Sequence, residues 1–422
     1  MTATPNAAPQ RLAALLVNYN SGQYAERCAA SLVDEWAALG RAPEDLEIVV
    51  VDNASPADQE LFLGRIEEVG HRVVRSPENL GYAGGMNLAL EQTHGGPTDL
   101  VAILNPDLYF LPGSLEPLVQ YITEHKDCGA VDPRAFIDPD CALNLPRNLL
   151  PTLVEHTWMA LAQINMTACR AYSRFRLKKA MPWWSAEGPM DADMLSGCCL
   201  FLRREVVEEM GQLMDPRYPL YYEDTDLFRT LKSRGYRLVH QCASRVLHHW
   251  SRSTGLVGFG DSEALRRYVV SQKKYYTKFY GRIGAAWIAF VNAALAKCPL
   301  SWHNRPMLPM DDLGDFSEPI EVQLPRSCRY LVEMGMAPNF LLSGGLFGEG
   351  DRWVCSPATW QWFFQAKYFM RVLDRDTGEV LGGWTFTKSA PGRDEPMQAV
   401  EMEGWTAPPE PSRPANAKQP MS

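Results

Sequence analysis

Asp52, Asp107 and His248 each follow or end an apolar segment that predicts a buried strand. Ligands of open α/β sheets bind at the carboxyl edge of the strands, where these side chains would lie. A carboxylate there can hold Mg²⁺ or accept hydrogen bonds from a ribose hydroxyl or a uracil or thymine base. Imidazole can be a second ligand of Mg²⁺ or, more comfortably, Mn²⁺. The alternative is that the aspartates only form turns and that the histidine is structural.

An acidic cluster stands at a predicted helix start in residues 221–227, which read YYEDTDL. The helix dipole favours acids in a first turn, so Glu223, Asp224 and Asp226 can be explained by helix capping alone. Two tyrosines directly before them favour a site instead. A carboxylate such as Asp224, facing a hydroxyl group, can act as a general base.

A glycine-rich segment, NLGYAGGMN, occupies residues 79–87 and leads into a helix predicted near residues 86–93. Such a turn resembles a phosphate loop at a helix N-terminus, which favours anions. It is neither G-x-G-x-x-G nor a P-loop with lysine, and no glycine fingerprint follows the first strand. The pattern therefore argues against an ordinary dinucleotide-binding domain.

Strands and helices alternate over the first 110 residues, and the first strand ends at the polar Asn18. This alternation predicts an α/β fold with a mostly parallel sheet flanked by helices. Residues 194–202 read as one continuous strand, and residues 237–241 and 244–248 as two more. The basic, tryptophan-rich residues 141–187 are interpreted as a cover helix with a solvated basic face. The alternative is a flexible segment that contacts an anionic acceptor or membrane headgroups.

The composition changes after about residue 300, where short alternating runs predict a small β-domain, expected to be a sandwich. Its tryptophans are interpreted as core residues, with glycan binding as the alternative. The predicted organisation is a disordered N-terminus (1–10), an α/β domain (11–260), a helical extension (261–300), a linker (301–320), a β-rich accessory domain (321–400) and a disordered tail (401–422).

The formal net charge of −9 argues against a nucleic-acid partner. The first ten residues lack the pattern of a signal peptide, and the cysteines show no zinc spacing, so a cytoplasmic protein is expected. Residues 283–295 are apolar but short of a membrane span. We interpret them as a core helix, with a peripheral helix on the inner face of the membrane as the alternative. The oligomeric state is not predicted.

Seven motifs occur in order and together carry a resemblance. They are VNYN (17–20), DNAS (52–55), NLGYAGGMN (79–87), LNPD (104–107), SGCCLFLRR (196–204), YYEDTDL (221–227) and LHHWSRST (247–254). This set resembles the family 2 inverting glycosyltransferases of the GT-A fold, in particular the rhamnosyltransferase-like branch. The resemblance covers roughly residues 11–260.

The resemblance implies a role for each matching residue. Asp52 would bind the nucleotide base, and Asp224 would be the catalytic base. Asp107 would bind a divalent cation, Mg²⁺ or Mn²⁺, although Asn105 replaces the first aspartate of the family's D-x-D element. The remaining implied residues are the nucleotide-sugar pocket (Asn18, Asn79, Gly81, Gly84 and Asn87), the second metal ligand (His248, with His249 as the alternative) and two substrate contacts (Glu223 and Trp250).

The implied activity is sugar transfer, with rhamnose as one candidate, from a dTDP- or UDP-linked donor. The acceptor would be a glycan or a lipid-linked glycan of cell-surface polysaccharide synthesis. Two alternatives stay open at this point. One is a nucleotidyltransferase, although the first loop lacks the lysine or arginine that a triphosphate would need. The other is a non-catalytic carbohydrate-binding protein with a degenerate transferase domain.

Overall fold

A computed structural model describes residues 11–249, 263–303 and 305–389. The strands of its first sheet are β1 (Leu12–Asn18), β2 (Leu46–Asp52), β3 (Arg72–Arg75), β4 (Leu100–Leu104), β5 (Leu108–Phe110), β6 (Cys128–Phe136), β7 (Met190–Ala192), β8 (Cys199–Arg203) and β9 (Arg237–His248). The helices are α1 (Gly22–Ala38), α2 (Glu60–Glu68), α3 (Gly81–Glu91), α4 (Leu115–Glu124), α5 (Leu153–Ile164), α6 (Met166–Trp184), α7 (Arg204–Met210), α8 (Glu223–Ser233), α9 (Glu263–Ala296) and α10 (Pro357–Trp362). The predicted terminal segments 1–10 and 401–422 lie outside the described residues.

The first sheet has the strand order β3-β2-β1-β4-β8-β6-β9-β5, with β7 beside β9. The four strands from β3 to β4 are parallel, and β8 runs antiparallel to β4. One face packs against α1, α2 and α4, and the other against α3, α7, α8 and the end of α6. The predicted GT-A fold class is confirmed, with antiparallel strands in the second half of the sheet.

The register of the parallel strands brings their carboxyl ends to one edge. Asn18 of β1 pairs with Asp52 of β2, and Leu16 pairs with Leu104 of β4. The chain then turns, and Leu108 of β5 pairs with His248 at the end of β9. Consequently β4, β5 and β9 bring Asp107 and His248 together, although 140 residues of sequence separate them.

Several predicted elements have different boundaries in the structure. The helix expected at residue 86 begins at Gly81, so the glycine-rich segment forms the first turns of α3 rather than a loop. The strand expected over residues 194–202 is the shorter β8. The two strands expected over residues 237–248 are one strand, β9, because a register shift against β6 accommodates the polar residues in its middle.

The C-terminal strands are β10 (Asp311–Phe316), β11 (Glu321–Gly335), β12 (Gly344–Val354), β13 (Lys367–Asp374) and β14 (Val380–Lys388). Within the described residues they form one five-stranded sheet in the order β10-β14-β13-β11-β12, so the expected sandwich is wrong. Strand β10 lies inside the predicted linker 301–320, so the sheet begins before residue 321. The tryptophans of this sheet and of α10 that the sequence singled out are buried: Trp353, Trp360, Trp362 and Trp384.

The C-terminal sheet contacts the first domain through side chains as well as backbone. The backbone N–H of Asn144 donates to the carbonyl of Gly345 at 2.9 Å. Arg371 donates to the hydroxyl of Ser173 at 2.9 Å, and the Thr359 hydroxyl donates to Asp138 at 2.8 Å. These contacts reach the segment after β6 and helix α6, so the C-terminal domain supports that side of the first domain.

Helix α9 differs most from expectation. Gly281 has φ +68° and ψ −177°, which breaks the helical path in its middle. Past this kink, the side chains of Ile283 and Phe290 are 87% and 63% exposed. By length and composition, Leu265–Ala296 is the one candidate membrane span among the described residues, and 11% of its most apolar window is buried. The interpretation of residues 283–295 as a core helix is therefore wrong.

Candidate active site

The ends of β1 and β2 form a connected polar group. The Asn18 amide donates to Asp52 Oδ1 at 2.7 Å, and the Ser55 hydroxyl donates to the same oxygen at 2.6 Å. Asn18 Oδ1 accepts from the backbone N–H of Ser21 at 2.9 Å, which fixes the orientation of its amide. Asp52 is only half-buried. Its carboxylate is thus held in place by neighbours and remains accessible to a ligand.

The start of α3 is tied to this group through Asn53. Asn53 Oδ1 accepts from the backbone N–H of Leu80 at 2.8 Å, and its Nδ2 donates to the Gly81 carbonyl at 3.1 Å. Asn79 is exposed, and its Oδ1 accepts from the N–H of Gly81 at 2.9 Å. The side chain of Asn79 therefore faces solvent at the same edge as Asp52.

The glycines of this helix allow close packing. Gly81 has φ +74°, and a Cβ there would lie 2.9 Å from the Pro219 carbonyl oxygen. A Cβ on Gly85 would lie 2.8 Å from Val17 of β1.

Gly84 is a helical residue, and its ligand contact stays a prediction. Asn87 holds a loop, because its amide exchanges hydrogen bonds of 2.8 and 3.0 Å with the backbone of Met214.

Asp107 and His248 form a buried pair at the same edge. The distance from Asp107 Oδ1 to His248 Nε2 is 3.2 Å. Asn105 Nδ2 lies 3.3 Å from the same histidine nitrogen. Burial is the largest single influence and disfavours the charged form of both side chains, but the partner's charge and hydrogen bond, together with His249 near Asp107 and Cys198 near His248, outweigh it. As a result the pKa of Asp107 is lowered and the pKa of His248 is raised.

A divalent cation fits between these two groups. Neighbouring ligands of an octahedral ion with bonds of about 2.0–2.1 Å lie about 2.9 Å apart, close to the separation of the Asp107 and His248 atoms. Within the described ranges, no group of three His, Cys, Asp or Glu side chains is arranged to hold a metal. A cation here would therefore have two protein ligands and take the rest from substrate or water.

The structure separates the roles of the two adjacent histidines. The ring of His249 stacks on the indole of Trp362, with centroids 4.2 Å apart and planes at 11°. Its backbone N–H donates to the Asp107 carbonyl at 3.0 Å. The side chain that faces the Asp107 carboxylate is that of His248. Trp250 lies outside the described residues.

Asp224 stands in the first turn of α8, after two strained residues. Tyr221 and Tyr222 have φ of 64° and 71°, a left-handed conformation that costs energy in non-glycine residues and clusters at functional sites. A Cβ on Gly197 would lie 2.5 Å from Asp224 Oδ2, so the carboxylate lies against the backbone there. Glycine is required at that position for Asp224 to point where it does.

Burial raises the pKa of Asp224. Burial and then the charge of Asp224 raise the pKa of Glu223. The Glu223 carboxyl is buried, and its Oε2 has no hydrogen-bond partner among the described residues. Burial thus disfavours ionisation of both adjacent carboxyls, and the charge of Asp224 disfavours that of Glu223 further; such perturbed pKa values are typical of acid–base sites.

A short chain of contacts links Asp224 to the Asp107–His248 pair. The backbone N–H of Asn105 donates to the carbonyl of Cys198 at 2.7 Å, and Cys198 follows Gly197. The hydroxyl of Tyr82 donates to Asn105 Oδ1 at 2.9 Å. Burial, then the charges of Glu223 and Asp224, raises the pKa of Tyr82. Tyr82 therefore lies close to both carboxylate sites, Asp107 and the Glu223–Asp224 pair.

Sequence reasoning assigned no role to Tyr82 or Gly197. Both lie inside motifs that it identified, NLGYAGGMN and SGCCLFLRR. The signal that could have singled out Gly197 is a glycine within an apolar run, which often marks a close backbone approach. The stack of Trp362 on His249 had no sequence signal, because the two residues belong to separate domains.

The family model for Glycosyl transferase family 2 matches residues 14–181. The chain is 29% identical over 256 residues to the N-acetylglucosaminyl-diphospho-decaprenol L-rhamnosyltransferase of Mycobacterium tuberculosis, covering 58% of this chain and 78% of that protein. It is 27% identical over 230 residues to the O-antigen biosynthesis protein RfbC of Myxococcus xanthus, covering 53% and 16% of the two chains.

Solved structures show weaker likeness. The mannosyltransferase PcManGT from Pyrobaculum calidifontis, in complex with GDP-Man and Mn²⁺, has 17% identity and a TM-score of 0.40, covering 70% of this chain and 80% of that one. S. aureus TarS 1–349 in complex with UDP has 13% identity and a TM-score of 0.41, covering 69% and 76%. The family match over residues 14–181 and the curated relatives identify a family 2 glycosyltransferase domain in this chain, which is rhamnosyltransferase-like over the 256 residues that align.

Proposed function

We propose that this glycosyltransferase moves a sugar such as rhamnose from a dTDP- or UDP-linked donor to a hydroxyl of a lipid-linked glycan, with inversion at the anomeric carbon. The observation that carries the proposal is that the Asp107–His248 pair and Asp224 lie on either side of Tyr82 and Asn105, at one edge of the sheet. The acceptor class is supported by the name of the mycobacterial relative, a diphospho-decaprenol rhamnosyltransferase.

The nucleoside would bind at Asp52. Asn18 and Ser55 donate to Oδ1 of Asp52 and orient the group. Oδ2 accepts a long hydrogen bond of 3.4 Å from the backbone N–H of Ser55, and this oxygen would accept the ligand donor. An imide N–H is common to uracil and thymine, so either nucleotide satisfies this contact. Asn79, Gly81 and Gly84 would line the donor pocket at the adjacent start of α3, and Asn87 holds the neighbouring loop at Met214.

The donor diphosphate would lie beside Asp107 and His248. A bound divalent cation, Mg²⁺ or Mn²⁺, would supply charge neutralisation for the diphosphate leaving group. Asp107 and His248 would hold it as two adjacent ligands. The Trp362–His249 stack keeps this strand end in place from the C-terminal domain.

Asp224 would be the general base. Its carboxylate accepts the proton of the acceptor hydroxyl as that oxygen attacks the anomeric carbon from the face opposite the diphosphate. The bond to the diphosphate oxygen breaks, and the configuration inverts. Such a base contributes about 10² to 10⁴ in rate. Glu223, next to it, would contact the substrate.

A donor screen tests this function. The full chain is incubated with dTDP-rhamnose, UDP-N-acetylglucosamine, UDP-glucose and GDP-mannose, with Mg²⁺ or Mn²⁺, and release of the nucleoside diphosphate is measured. We expect slow release from a dTDP- or UDP-linked donor, accelerated by a prenyl diphosphate N-acetylglucosamine. Release from none of the donors, under both metals, would contradict the proposed activity.

Transfer is expected to fall as the pH drops through the pKa of Asp224, because the base works only as a carboxylate. Burial raises that pKa above the ordinary aspartate value of about 3.9. The acid limb of kcat at saturating donor should therefore lie above about pH 4. A rate that stays constant down to that pH would show that this carboxyl does not limit the reaction.

Trp362→Leu is expected to weaken metal-dependent donor binding about 2- to 10-fold, the value of an aromatic pair. The substitution removes the ring on which His249 stacks, beside His248. Trp353→Leu is the matched control, because Trp353 is buried in the same domain but in the core of its sheet. Calorimetric titration of both variants with donor and Mn²⁺ is the measurement. Equal losses in both would point to general destabilisation.

The exposed second half of α9 is proposed to bind a membrane surface. Ile283 and Phe290 are exposed apolar residues, and the cations Arg282 and Lys297 stand at the two ends of this segment. An amphipathic helix with this pattern binds in the headgroup region of anionic bilayers. The first half of α9 packs on Tyr222, next to Glu223 and Asp224, so membrane binding through the second half would bring these carboxyls near a lipid carrier.

Replacing Ile283 and Phe290 together by serine is expected to weaken binding to vesicles that contain anionic phospholipid on the order of 100-fold. The matched control replaces Leu61 and Val69, which are 63% and 71% exposed elsewhere on the surface. Co-sedimentation with vesicles is the measurement. If the control pair loses as much binding as the α9 pair, the assignment of this helix is wrong.

A further inference from the structure

A second concave site opens beside Ser196, outside the group formed by Asp107, His248 and Asp224. Its walls come from β6, from residues 144–148 and from the end of α6. Its polar lining includes Arg134, Asn144, Arg147 and Asp132. We propose that this pocket binds the phosphate or diphosphate group of a glycosyl acceptor. The inference rests on the proposed function, whose acceptor site it names.

Arg147 is held in a fixed orientation in this pocket. Its guanidinium carbon lies 3.4 Å from the ring centroid of Trp183. The same indole stacks on His240, with centroids 3.7 Å apart and planes at 17°. Burial lowers the pKa of Arg147 to about 10, against the opposing charges of Asp132 and Asp193. The group is still cationic at neutral pH, so a partly desolvated positive charge is available to an anion.

Two buried polar atoms in the lining have no partner among the described residues, namely Arg134 Nε and Asn144 Oδ1. The other ends of both side chains are anchored, since Arg134 Nη2 donates to the Ala186 carbonyl and Asn144 Nδ2 to the Gly345 carbonyl. Asn144 is 4% exposed. Buried polar groups are almost always hydrogen-bonded, so each such atom needs an explanation. A phosphate oxygen would satisfy Arg134, and a sugar hydroxyl or acetamido N–H would satisfy Asn144.

The carboxylate of the pocket is already occupied. Asp132 Oδ1 lies 2.8 Å from His240 Nδ1, and its Oδ2 accepts from the backbone N–H of Ser196 at 2.8 Å. Both oxygens therefore face protein donors. The lining presents two guanidinium groups, so the pocket favours an anion over a neutral sugar.

The pocket adjoins the catalytic base through the backbone. Ser196 lines the pocket, and the next residue, Gly197, lies against Asp224 Oδ2. Consecutive Cα atoms are about 3.8 Å apart. A sugar whose phosphate binds Arg134 and Arg147 can thus extend a hydroxyl toward Asp224, which is the arrangement that a glycosyl diphosphate acceptor requires.

The test is calorimetric titration of the full chain saturated with UDP or dTDP, which fills the donor site. The probes are N-acetylglucosamine 1-phosphate, a short-chain prenyl diphosphate N-acetylglucosamine, and N-acetylglucosamine itself. Arg147→Ala is expected to weaken both phosphate-bearing probes about 10- to 100-fold while UDP or dTDP affinity is unchanged. Arg147→Lys should restore part of the loss. Arg174→Ala is the matched control, because Arg174 is an exposed arginine on α6.

The outcomes separate the two proposals. Tight binding of the prenyl probe alone identifies a lipid-linked source for the phosphate, and equal binding of both phosphate probes identifies a soluble sugar phosphate. Unchanged affinity in a folded Arg147→Ala, or no preference of the wild type for phosphate-bearing probes, overturns the pocket assignment. If the donor screen finds no nucleoside diphosphate release but Arg147 still controls phosphate binding, the proposed function fails and the pocket stands.

Discussion

Asp224→Asn is expected to abolish sugar transfer while donor binding survives. Asparagine has nearly the same shape but cannot accept the proton of the acceptor hydroxyl, so the chemical step loses about 10² to 10⁴ in rate. The carboxylate lies against Gly197, and its Oδ1 accepts from the backbone N–H of Thr225 at 2.6 Å. Those contacts hold the side chain and do not involve the donor, so the dissociation constant of the donor should stay within about 2-fold.

The matched control for this variant is Asp226→Asn, in the same turn of α8. The carboxylate of Asp226 is engaged by Lys278 at 2.7 Å and by the hydroxyl of Tyr218 at 3.0 Å. Its loss should lower the melting temperature and leave turnover nearly intact. Single-turnover kinetics with saturating donor and acceptor separate the two variants. Near-normal turnover of Asp224→Asn would show that another group takes the proton.

Asp107→Ala is expected to weaken donor binding on the order of 100-fold when Mn²⁺ is present, because one of two protein ligands of the cation is lost. The remaining ligand, His248, would be left beside Asn105, whose amide cannot replace the charge. With EDTA, wild type and variant should bind the donor equally weakly. Titration of both proteins with the donor, with and without Mn²⁺, is the measurement. A wild type that binds equally well in EDTA would contradict the metal site.

Much of the transferase domain could be predicted because its strands are continuous apolar runs that end in polar residues. Asp52 and Asp107 follow such runs, and the parallel register then brings strand ends to one edge. The acidic motif could also be predicted from local sequence, because Glu223 and Asp224 begin helix α8 at the expected position. The sequence pattern could not predict the antiparallel pairing of β9 with β5, which brings His248 to Asp107.

The predictions that the structure contradicts failed because local sequence patterns do not determine how segments are arranged in the folded protein. Residues 283–295 are apolar enough for a core helix, but after the kink at Gly281 only one face of the segment is buried, through Ile288 and Val291, and periodicity does not report on a kink. The C-terminal strands alternate as a sandwich would, yet they form one sheet that packs on the first domain. Arg147 of the acceptor pocket and His240 both pack on the ring of Trp183. This arrangement depends on how three separate segments of the chain fold together.

The central claim is that Asp52, Asp107, His248 and Asp224 surround one donor molecule. A crystal structure of Asp224→Asn with the unhydrolysed donor and Mn²⁺, with the ion located by anomalous scattering, tests it most directly. We predict the ion between Asp107 Oδ1 and His248 Nε2, the base at Asp52, and the anomeric carbon facing residue 224 on the side away from the diphosphate. A diphosphate lying between the sugar and residue 224, or a donor bound elsewhere, would contradict the proposed mechanism.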